Sequence, residues 1–257
     1  MKIFAISDIH IDYTENFDWL NNLSKLDYKN DILILGGDVT DNITLFEKVM
    51  TDLRSRFNEV VFVPGNHDLW VFRNPIKDSL QKFELIKTSA QNCGIRMEPL
   101  YFDTVLIVPL FGWYDYSFGQ PTIETYEAWM DYSACKWPDN WQVDKITNYF
   151  ISINEPRLKT NNRENLTTIV SFSHFLPRID LLPFYIPLNK RYLNPVLGTS
   201  LLEKQIRDLN PDIHVYGHSH VNVEIRKEHT LYINNAFGYP YEYGITAKKL
   251  KCILEDD

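Results

Sequence analysis

Residues 2–10 (KIFAISDIH), 31–38 (DILILGGD) and 59–68 (EVVFVPGNHD) decide the fold that this sequence predicts. Each begins as a short apolar run rich in branched residues, which is typical of a strand buried on both faces. Apolar residues at helical spacing within 16–28 and 42–57 predict a helix between each pair of strands. A strand–helix–strand–helix–strand order needs right-handed crossovers, so the first part of the chain predicts a parallel sheet.

The rest of the chain continues as helices and strands. We expect helices at 77–92 and 141–158, strands at 100–103, 104–110, 167–173 and 212–216, and three last, antiparallel strands at 221–226, 229–234 and 245–254. The motif Ser200-x-x-Glu203 predicts a capping box at the start of one more helix. Residues 175–198 contain four prolines and predict an irregular loop. We expect one domain over 1–257, with an aromatic-rich, cap-like insertion around 112–198.

Composition narrows the class of protein. With 257 residues, 44% hydrophobic and 23% charged, the chain is typical of a globular protein. A net charge of −8 argues against a basic nucleic-acid-binding surface. Three widely spaced cysteines do not form a disulfide framework, and no apolar run approaches the ~18 residues of a membrane span. No signal-peptide core precedes Asp8 and His10, so we expect a soluble, cytoplasmic protein.

Polar side chains follow the predicted strands where each strand ends. In open α/β sheets, ligands bind beyond these carboxyl ends, so the polar tips are expected to meet. Five of the seven histidines lie at such ends, whereas His214 and His229 fall within predicted strands and are interpreted as structural. Each tip alone has an ordinary structural explanation, but together they indicate a metal centre. The polar residues at these ends are Asp8, His10, Asp38, Asn66, His67, Asp68, His174, His218 and His220.

This ordered set resembles the calcineurin-like metallophosphoesterases, a superfamily of dimetal hydrolases, from residue 8 to residue 220. The resemblance implies an α/β (α+β) four-layer sandwich, in which two packed mixed sheets are flanked by helices and the metals lie at the C-terminal ends of strands. It assigns one metal to Asp8, His10 and His220. It assigns the other to Asn66, His174 and His218. Asp38 would bridge the two metals, His67 would lie beside the substrate phosphate as a catalytic residue, and Asp68 would orient His67.

The implied chemistry is hydrolysis of a phosphoester. Mixed nitrogen and oxygen ligands suit manganese, iron, zinc, nickel or cobalt, and the sequence does not choose among them. Two such ions can bind a phosphate and activate water for in-line attack. We therefore predict a metal-dependent hydrolase of a small phosphomonoester or phosphodiester, with no membrane partner, with a nucleic-acid partner disfavoured and with the oligomeric state left open.

Aromatic and basic residues near the motifs are the candidates for substrate binding. Trp70 follows the third motif closely, Trp113 and Tyr114 follow a predicted strand, and Arg178 lies four residues beyond His174. Two alternatives stay open. One is a non-catalytic binding scaffold of the same fold, which the complete ligand set disfavours. The other is a nuclease, which the acidic balance disfavours.

Overall fold

The computed structural model describes residues 1–73, 75–159 and 165–255. Its ten strands form two mixed sheets, and helices flank them, which confirms the predicted fold. The strands are β1 (Lys2–Ile6), β2 (Ile32–Leu35), β3 (Glu59–Phe62), β4 (Leu100–Phe102), β5 (Val105–Pro109), β6 (Thr168–Phe172), β7 (Ile213–Tyr216), β8 (Glu224–Lys227), β9 (Thr230–Asn234) and β10 (Lys251–Glu255). The helices are α1 (Thr14–Asn21), α2 (Ile43–Arg56), α3 (Ser79–Asn92), α4 (Ile123–Ala128), α5 (Asp131–Ala134), α6 (Val143–Asn154) and α7 (Ser200–Leu209).

The two sheets differ in size and share one hydrophobic core. The four-stranded sheet has the order β10-β1-β2-β3, with β1, β2 and β3 parallel as predicted and β10 antiparallel at the edge. The six-stranded sheet has the order β4-β5-β6-β7-β9-β8. Its last pair, β8 and β9, is antiparallel, but β9 runs parallel to β7, so the expectation of antiparallel C-terminal strands holds only in part.

The ends of the two sheets meet beside β1. Ser7 forms a parallel bridge with Ala236, the Ser7 amide donates to the Asn235 carbonyl (3.1 Å), and the Phe237 amide donates to the Ser7 carbonyl (2.8 Å). The segment after β9, in the six-stranded sheet, is therefore tied to the end of β1, in the four-stranded sheet. This junction brings residues from distant parts of the sequence into one place.

Several predicted boundaries were wrong for local reasons. Helix α1 ends at Asn21 rather than at 28, because the Ser24 hydroxyl accepts the amides of Leu26 and Asp27 in a turn that competes with the helix. The cap of α7 is Thr199, whose Oγ1 accepts the Leu201 amide, so the predicted capping box at Ser200 is one residue late. Residues 175–198 include two 3₁₀ segments, Ile179–Leu181 and Leu188–Val196.

The prediction of one domain with an insertion around 112–198 stays a prediction, but the structure refines its extent. Strand β6 lies inside that range and pairs with both β5 and β7 in the middle of the six-stranded sheet. What lies outside the sheet is therefore the stretch with α4, α5 and α6 before β6, and the 3₁₀ segments after it. We call the whole range the 112–198 region.

Candidate metal centre

Five of the candidate ligands lie in turns with left-handed backbone. Positive φ values occur at Asp8 (54°), His10 (38°), Asp38 (55°), His218 (68°) and His220 (53°). This conformation is costly for residues other than glycine, and such strain concentrates at functional sites. Hydrogen bonds between the turns maintain it: the Asp8 amide donates to the Gly37 carbonyl (2.9 Å) and the His10 amide to the Asp38 carbonyl (3.0 Å).

The first group of ligands consists of Asp8, His10 and His220, which the structure brings together in the core. His10 Nε2 and His220 Nε2 are 3.1 Å apart, and His220 Nε2 lies 3.2 Å from Asp8 Oδ1. On its other side, His220 Nδ1 lies 2.7 Å from Glu242 Oε2. When that nitrogen carries the proton and donates it to Glu242, His220 Nε2 presents a lone pair toward Asp8 and His10.

The second group contains His174 and His218. Their Nε2 and Nδ1 atoms are 2.9 Å apart, and each ring places its other nitrogen against a backbone carbonyl, Gly36 at 2.8 Å and Val196 at 3.0 Å. A carbonyl only accepts, so those outer nitrogens carry the protons. Burial lowers the pKa of both histidines, which keeps the rings neutral. Two lone pairs therefore face each other, and a cation between them would stabilise this arrangement.

Asn66 adds an oxygen to the second group. Its Oδ1 lies 3.1 Å from His174 Nε2, while its Nδ2 donates to Asp131 Oδ1 at 2.9 Å. The Asp131 carboxylate thus fixes which end of the Asn66 amide faces the histidines. An amide oxygen beside two imidazole nitrogens is a suitable ligand set for a divalent transition metal.

Asp38 lies between the two groups. Its Oδ1 is 3.5 Å from His174 Nε2 and its Oδ2 is 3.9 Å from His10 Nε2, so each carboxylate oxygen faces a different group. Burial and the nearby Asp8 and Asp68 carboxylates raise the pKa of Asp38 well above its usual value. Among the described residues no lysine or arginine forms an ion pair with Asp8 or Asp38. The donor set therefore fits two divalent cations, which would supply positive charge beside these two carboxylates.

His67 lines the cavity beside the ligands, and its ring contacts aromatic side chains. His67 stacks on Trp70 (3.7 Å between ring centroids) and its Nε2 lies 3.4 Å from the Tyr239 hydroxyl. Burial, with His220 and His174 nearby, lowers the pKa of His67 to about 3. Its Nε2 is also 3.8 Å from Asp38 Oδ2, so the geometry allows a third grouping of His67 with His10 and Asp38.

The Asp68 carboxylate binds backbone amides and not the His67 ring. Its carboxylate accepts the amides of Asp38 (2.9 Å), Val39 (2.9 Å), Thr40 (3.1 Å) and Gly65 (2.8 Å). No hydrogen bond joins it to the His67 ring in the part of the chain that the structure describes. Burial raises the pKa of Asp68 to about 6 although these four donors favour the ionised form. Its position indicates that it holds the loops that carry Asp38 and Asn66.

One cavity of about 250 Å³ opens onto both groups. Its polar side includes Asp38, Asn66, His67, His218 and His220. Trp70, one of the candidate substrate residues, lines it as expected. A larger surface cleft of about 580 Å³ lies along α3 and the residues after it, and none of the candidate ligands lines it.

Three other candidate substrate residues do not line this cavity, which corrects the sequence-based expectation. Trp113 is only 1% exposed and packs against Trp137 and Phe175, because the strand end before it turns into the core. Tyr114 is likewise buried. Arg178 is engaged by Asp180 (2.8 Å) and Glu203 (3.0 Å) and joins its loop to α7.

The histidines outside the site have structural contacts. His214 is fully buried in β7 and lies 2.8 Å from Ser171 Oγ and 3.1 Å from Ser173 Oγ, as its structural interpretation implies. His229 lies in the turn between β8 and β9 rather than within a strand. In that turn its Nε2 lies 3.0 Å from Asp212 Oδ1.

Sequence reasoning missed residues of the site that no motif marks. Glu242 and Tyr239 lie on the segment after β9 and line the cavity. Trp129, Met130 and Asp131 come from the 112–198 region. Their contacts with the ligands span 65 residues or more in the sequence, as in the Asn66–Asp131 bond, so local patterns do not reveal them.

Buried aspartates and histidines of this chain lie in turns at the ends of two packed mixed sheets. This is the arrangement that the resemblance to metallophosphoesterases implied. The family model described as calcineurin-like phosphoesterase matches residues 1–222, and the chain belongs to this family. The match confirms the family predicted from the motifs.

Individual proteins resemble the chain to different degrees. The acyl-carrier-protein phosphodiesterase PptH of Mycobacterium tuberculosis is 30% identical over 125 residues, 45% of this chain and 38% of the relative, so the match spans well under half of that protein. A solved structure of phosphopantetheinyl hydrolase PptH from the same organism has a TM-score of 0.82 at 23% identity and covers 99% of this chain and 96% of that one. A purple acid phosphatase from yellow lupin gives a TM-score of 0.46 at 11% identity, over 91% of this chain and 43% of that one.

Helices long and apolar enough to cross a bilayer do not occur within the described residues.

Proposed function

We propose that the chain is a dimetal phosphodiesterase whose substrate carries an uncharged arm of the phosphopantetheine type. The lining of the cavity carries this proposal. Besides candidate ligands, it includes the apolar side chains of Trp70, Trp129, Met130, Leu193 and Leu197 and the carboxylates of Asp131 and Glu242. No lysine or arginine is among the lining residues that the structure describes. A phosphate therefore finds positive charge only at the metals, and the rest of the substrate meets an apolar surface.

The absence of lysine and arginine from the described lining favours phosphoesters with a single phosphate. A nucleoside di- or triphosphate has further anionic phosphates, and the cavity offers them no cationic partner. An arm without charge avoids the much larger cost of burying an unpaired charge against aromatic and aliphatic side chains. The similarity to an acyl-carrier-protein phosphodiesterase supports the same class of substrate, in which a phosphodiester joins such an arm to a protein.

Most of the site residues would bind the metal ions, and His67 would transfer a proton. Asp8, His10 and His220 would hold one ion, Asn66, His174 and His218 the other, and Asp38 both. When bound, the two ions supply positive charge to the phosphate oxygens and lower the pKa of the attacking water.

His67 faces the cavity and is fixed by the Trp70 ring and the Tyr239 hydroxyl. In this position its Nε2 can transfer a proton to the leaving oxygen. Burial keeps the free imidazole neutral, so we propose that the bound phosphate, by its negative charge, raises the proton affinity of His67 during turnover.

Manganese, iron, zinc, nickel and cobalt all fit the mixed nitrogen and oxygen set, so the native metals are part of the proposal. The three cysteines are free, which supports a reducing, cytoplasmic compartment.

The test compares four substrates with protein that has been stripped by EDTA and reloaded with Mn²⁺, Ni²⁺ or Zn²⁺. We expect metal-restored cleavage of bis-p-nitrophenyl phosphate above that of p-nitrophenyl phosphate, and release of phosphopantetheine from a holo carrier protein above cleavage of ADP. Preference for the monoester or for ADP would overturn the substrate class. Absence of hydrolysis with every metal, in protein that binds two ions, would favour the scaffold alternative.

A further inference from the structure

Asp131, at the start of α5, is a buried carboxylate that lies outside the predicted ligand set. It is 3% exposed and accepts three side-chain donors: Asn66 Nδ2 (2.9 Å) and Trp70 Nε1 (2.7 Å) at Oδ1, and Trp129 Nε1 (2.8 Å) at Oδ2. Within the described residues it forms no ion pair with a lysine or arginine. One carboxylate therefore contacts a candidate ligand and two aromatic walls of the cavity.

The orientation of the Asn66 amide decides whether the second group can bind a cation. With Oδ1 toward His174 Nε2, as observed at 3.1 Å, three lone-pair donors converge, counting His218 Nδ1. A flipped amide would instead donate its NH₂ to His174 Nε2 and satisfy that nitrogen without a metal. Such a flip closes the cation site by a hydrogen bond within the protein.

Asp131 opposes the flip because a carboxylate accepts hydrogen bonds and donates none. In the flipped state, Asn66 Oδ1 would face Asp131 Oδ1. Both oxygens are acceptors and both are buried, so this contact would be repulsive. We propose that Asp131 is a positioning residue that holds Asn66 in the metal-binding orientation. The 112–198 region thereby takes part in assembling the second metal site, in addition to lining the cavity. This inference rests on the proposed dimetal function.

The two indole donors explain why the acceptor is a carboxylate rather than an amide. An asparagine at 131 can keep its oxygen toward Asn66 and Trp70, but its NH₂ then faces the Trp129 Nε1–H. Removal of that indole donor by Trp129→Phe removes the conflict. The pair of substitutions therefore offers a conservative rescue that a role in overall stability would not predict.

The experiment measures metal binding rather than turnover. Apo protein is titrated with Mn²⁺ by calorimetry, in wild type and in Asp131→Leu, which keeps the branched shape of the side chain and removes both acceptors. Loss of a group that orients a metal ligand typically weakens affinity about 10–100-fold. We expect this change in one of the two binding events and none in the other. In a His10→Ala background, which disables the first group, the remaining event must be the weakened one.

Two further variants make the outcome specific. Asp115→Asn serves as a matched control, since Asp115 belongs to the same region, accepts the Thr199 hydroxyl at 2.7 Å and does not line the cavity; both affinities should stay at the wild-type value. Asp131→Asn combined with Trp129→Phe should bind both ions nearly as wild type does. If Asp131→Leu does not fold, we expect the same loss of affinity in Asp131→Ala. A water that fills the space left can donate or accept a hydrogen bond, so it favours neither orientation of the Asn66 amide.

The possible results separate the two proposals. Wild type that binds fewer than two ions would overturn the dimetal site and this inference together. Wild type that binds two ions, with both affinities unchanged in Asp131→Leu or Asp131→Ala, would overturn the positioning role alone. Equal weakening of both events, or weakening in the Asp115→Asn control, would show a general effect on folding and would also overturn it.

Discussion

Gly65 and Asp38 approach so closely that no side chain fits between them. A Cβ atom on Gly65 would lie 2.1 Å from Asp38 Oδ1 and 2.6 Å from His174 Cε1. Both neighbours belong to the proposed metal site, and the Gly65 amide donates to Asp68, which also organises the turn at Asp38. The glycine that precedes Asn66 is therefore required by proximity to the ligands.

Gly65→Ala should displace Asp38 and His174 and thereby weaken metal binding. Overpacking of this kind costs about 1–3 kcal/mol of folding free energy, and a 1.4 kcal/mol loss at the ligands is a tenfold loss of affinity. Gly244→Ala is the matched control, since nothing lies within 4 Å of its added methyl group. Calorimetric titration with Mn²⁺ measures both variants, and wild-type affinity in Gly65→Ala would contradict the geometry.

Removal of metal should lower the melting temperature. EDTA would remove the cation that the facing lone pairs of His174 and His218 and the buried Asp38 carboxylate would bind. These groups would then lie close together without a cation to stabilise them. An ion at 100 times its Kd stabilises the native state by about 2.7 kcal/mol, which is about 5–10 °C for a chain of this size.

Calorimetric scans of the EDTA-treated and metal-loaded proteins test this expectation. His218→Phe should lose part of the metal-dependent shift, whereas His229→Gln, in a turn remote from the ligands, should keep it. An identical melting temperature with and without metal would contradict the arrangement of lone pairs.

The roles of His67 and Asp38 should separate in paired substitutions. We expect His67→Ala to retain two bound ions and to lower kcat by about 10²–10⁴-fold, the usual contribution of a general acid or base. Asp38→Ala should lose both metal and turnover, because its two oxygens face different ligand groups. Metal content by mass spectrometry and steady-state kinetics check both. Loss of an ion in His67→Ala would instead assign His67 as a ligand with His10 and Asp38, a grouping that the geometry also allows.

The parallel strands and their polar ends were predictable because they depend on local patterns. Apolar runs predicted β1, β2 and β3, and the rule that ligands gather at strand ends located the groups around Asp8 and Asp38. The local geometry was not predictable in the same way. Asp8 and His10 both have positive φ and lie in a turn after β1, and no pattern of apolar and polar residues predicts that backbone conformation.

Residues that complete the site through long-range contacts could not be found from sequence. Asp131 reaches Asn66 across 65 residues, and Glu242 contacts His220 across 22 residues from a segment with no motif. Conversely, proximity in sequence misled the choice of Trp113, which packs in the core. The aromatic content of the 112–198 region predicted a cap-like insertion but not which aromatics would line the cavity.

Acid sensitivity of folding should depend in part on His214. Ser173 Oγ donates to the Phe175 carbonyl, so it accepts from His214 Nε2, and Ser171 Oγ donates to His214 Nδ1; the neutral ring is fully satisfied in the core. Burial lowers the pKa of His214 to about 3 from a usual value of 6.5. Below pH 6.5 the unfolded chain binds a proton at this ring that the folded chain excludes. Stability contributed by the neutral ring is therefore complete above pH 6.5 and is lost as the pH falls toward 3.

In EDTA, to exclude metal effects, the free energy of unfolding should fall by about 1.4 kcal/mol per pH unit because of His214 between pH 6 and pH 4. His214→Gln should reduce the slope of unfolding free energy against pH by that amount. Ser171→Ala should lower stability at every pH and keep the wild-type slope, since it removes a hydrogen bond but not the titrating group. Urea unfolding at a series of pH values measures all three proteins. A His214→Gln slope equal to that of wild type would show that this histidine already takes up its proton in the folded state.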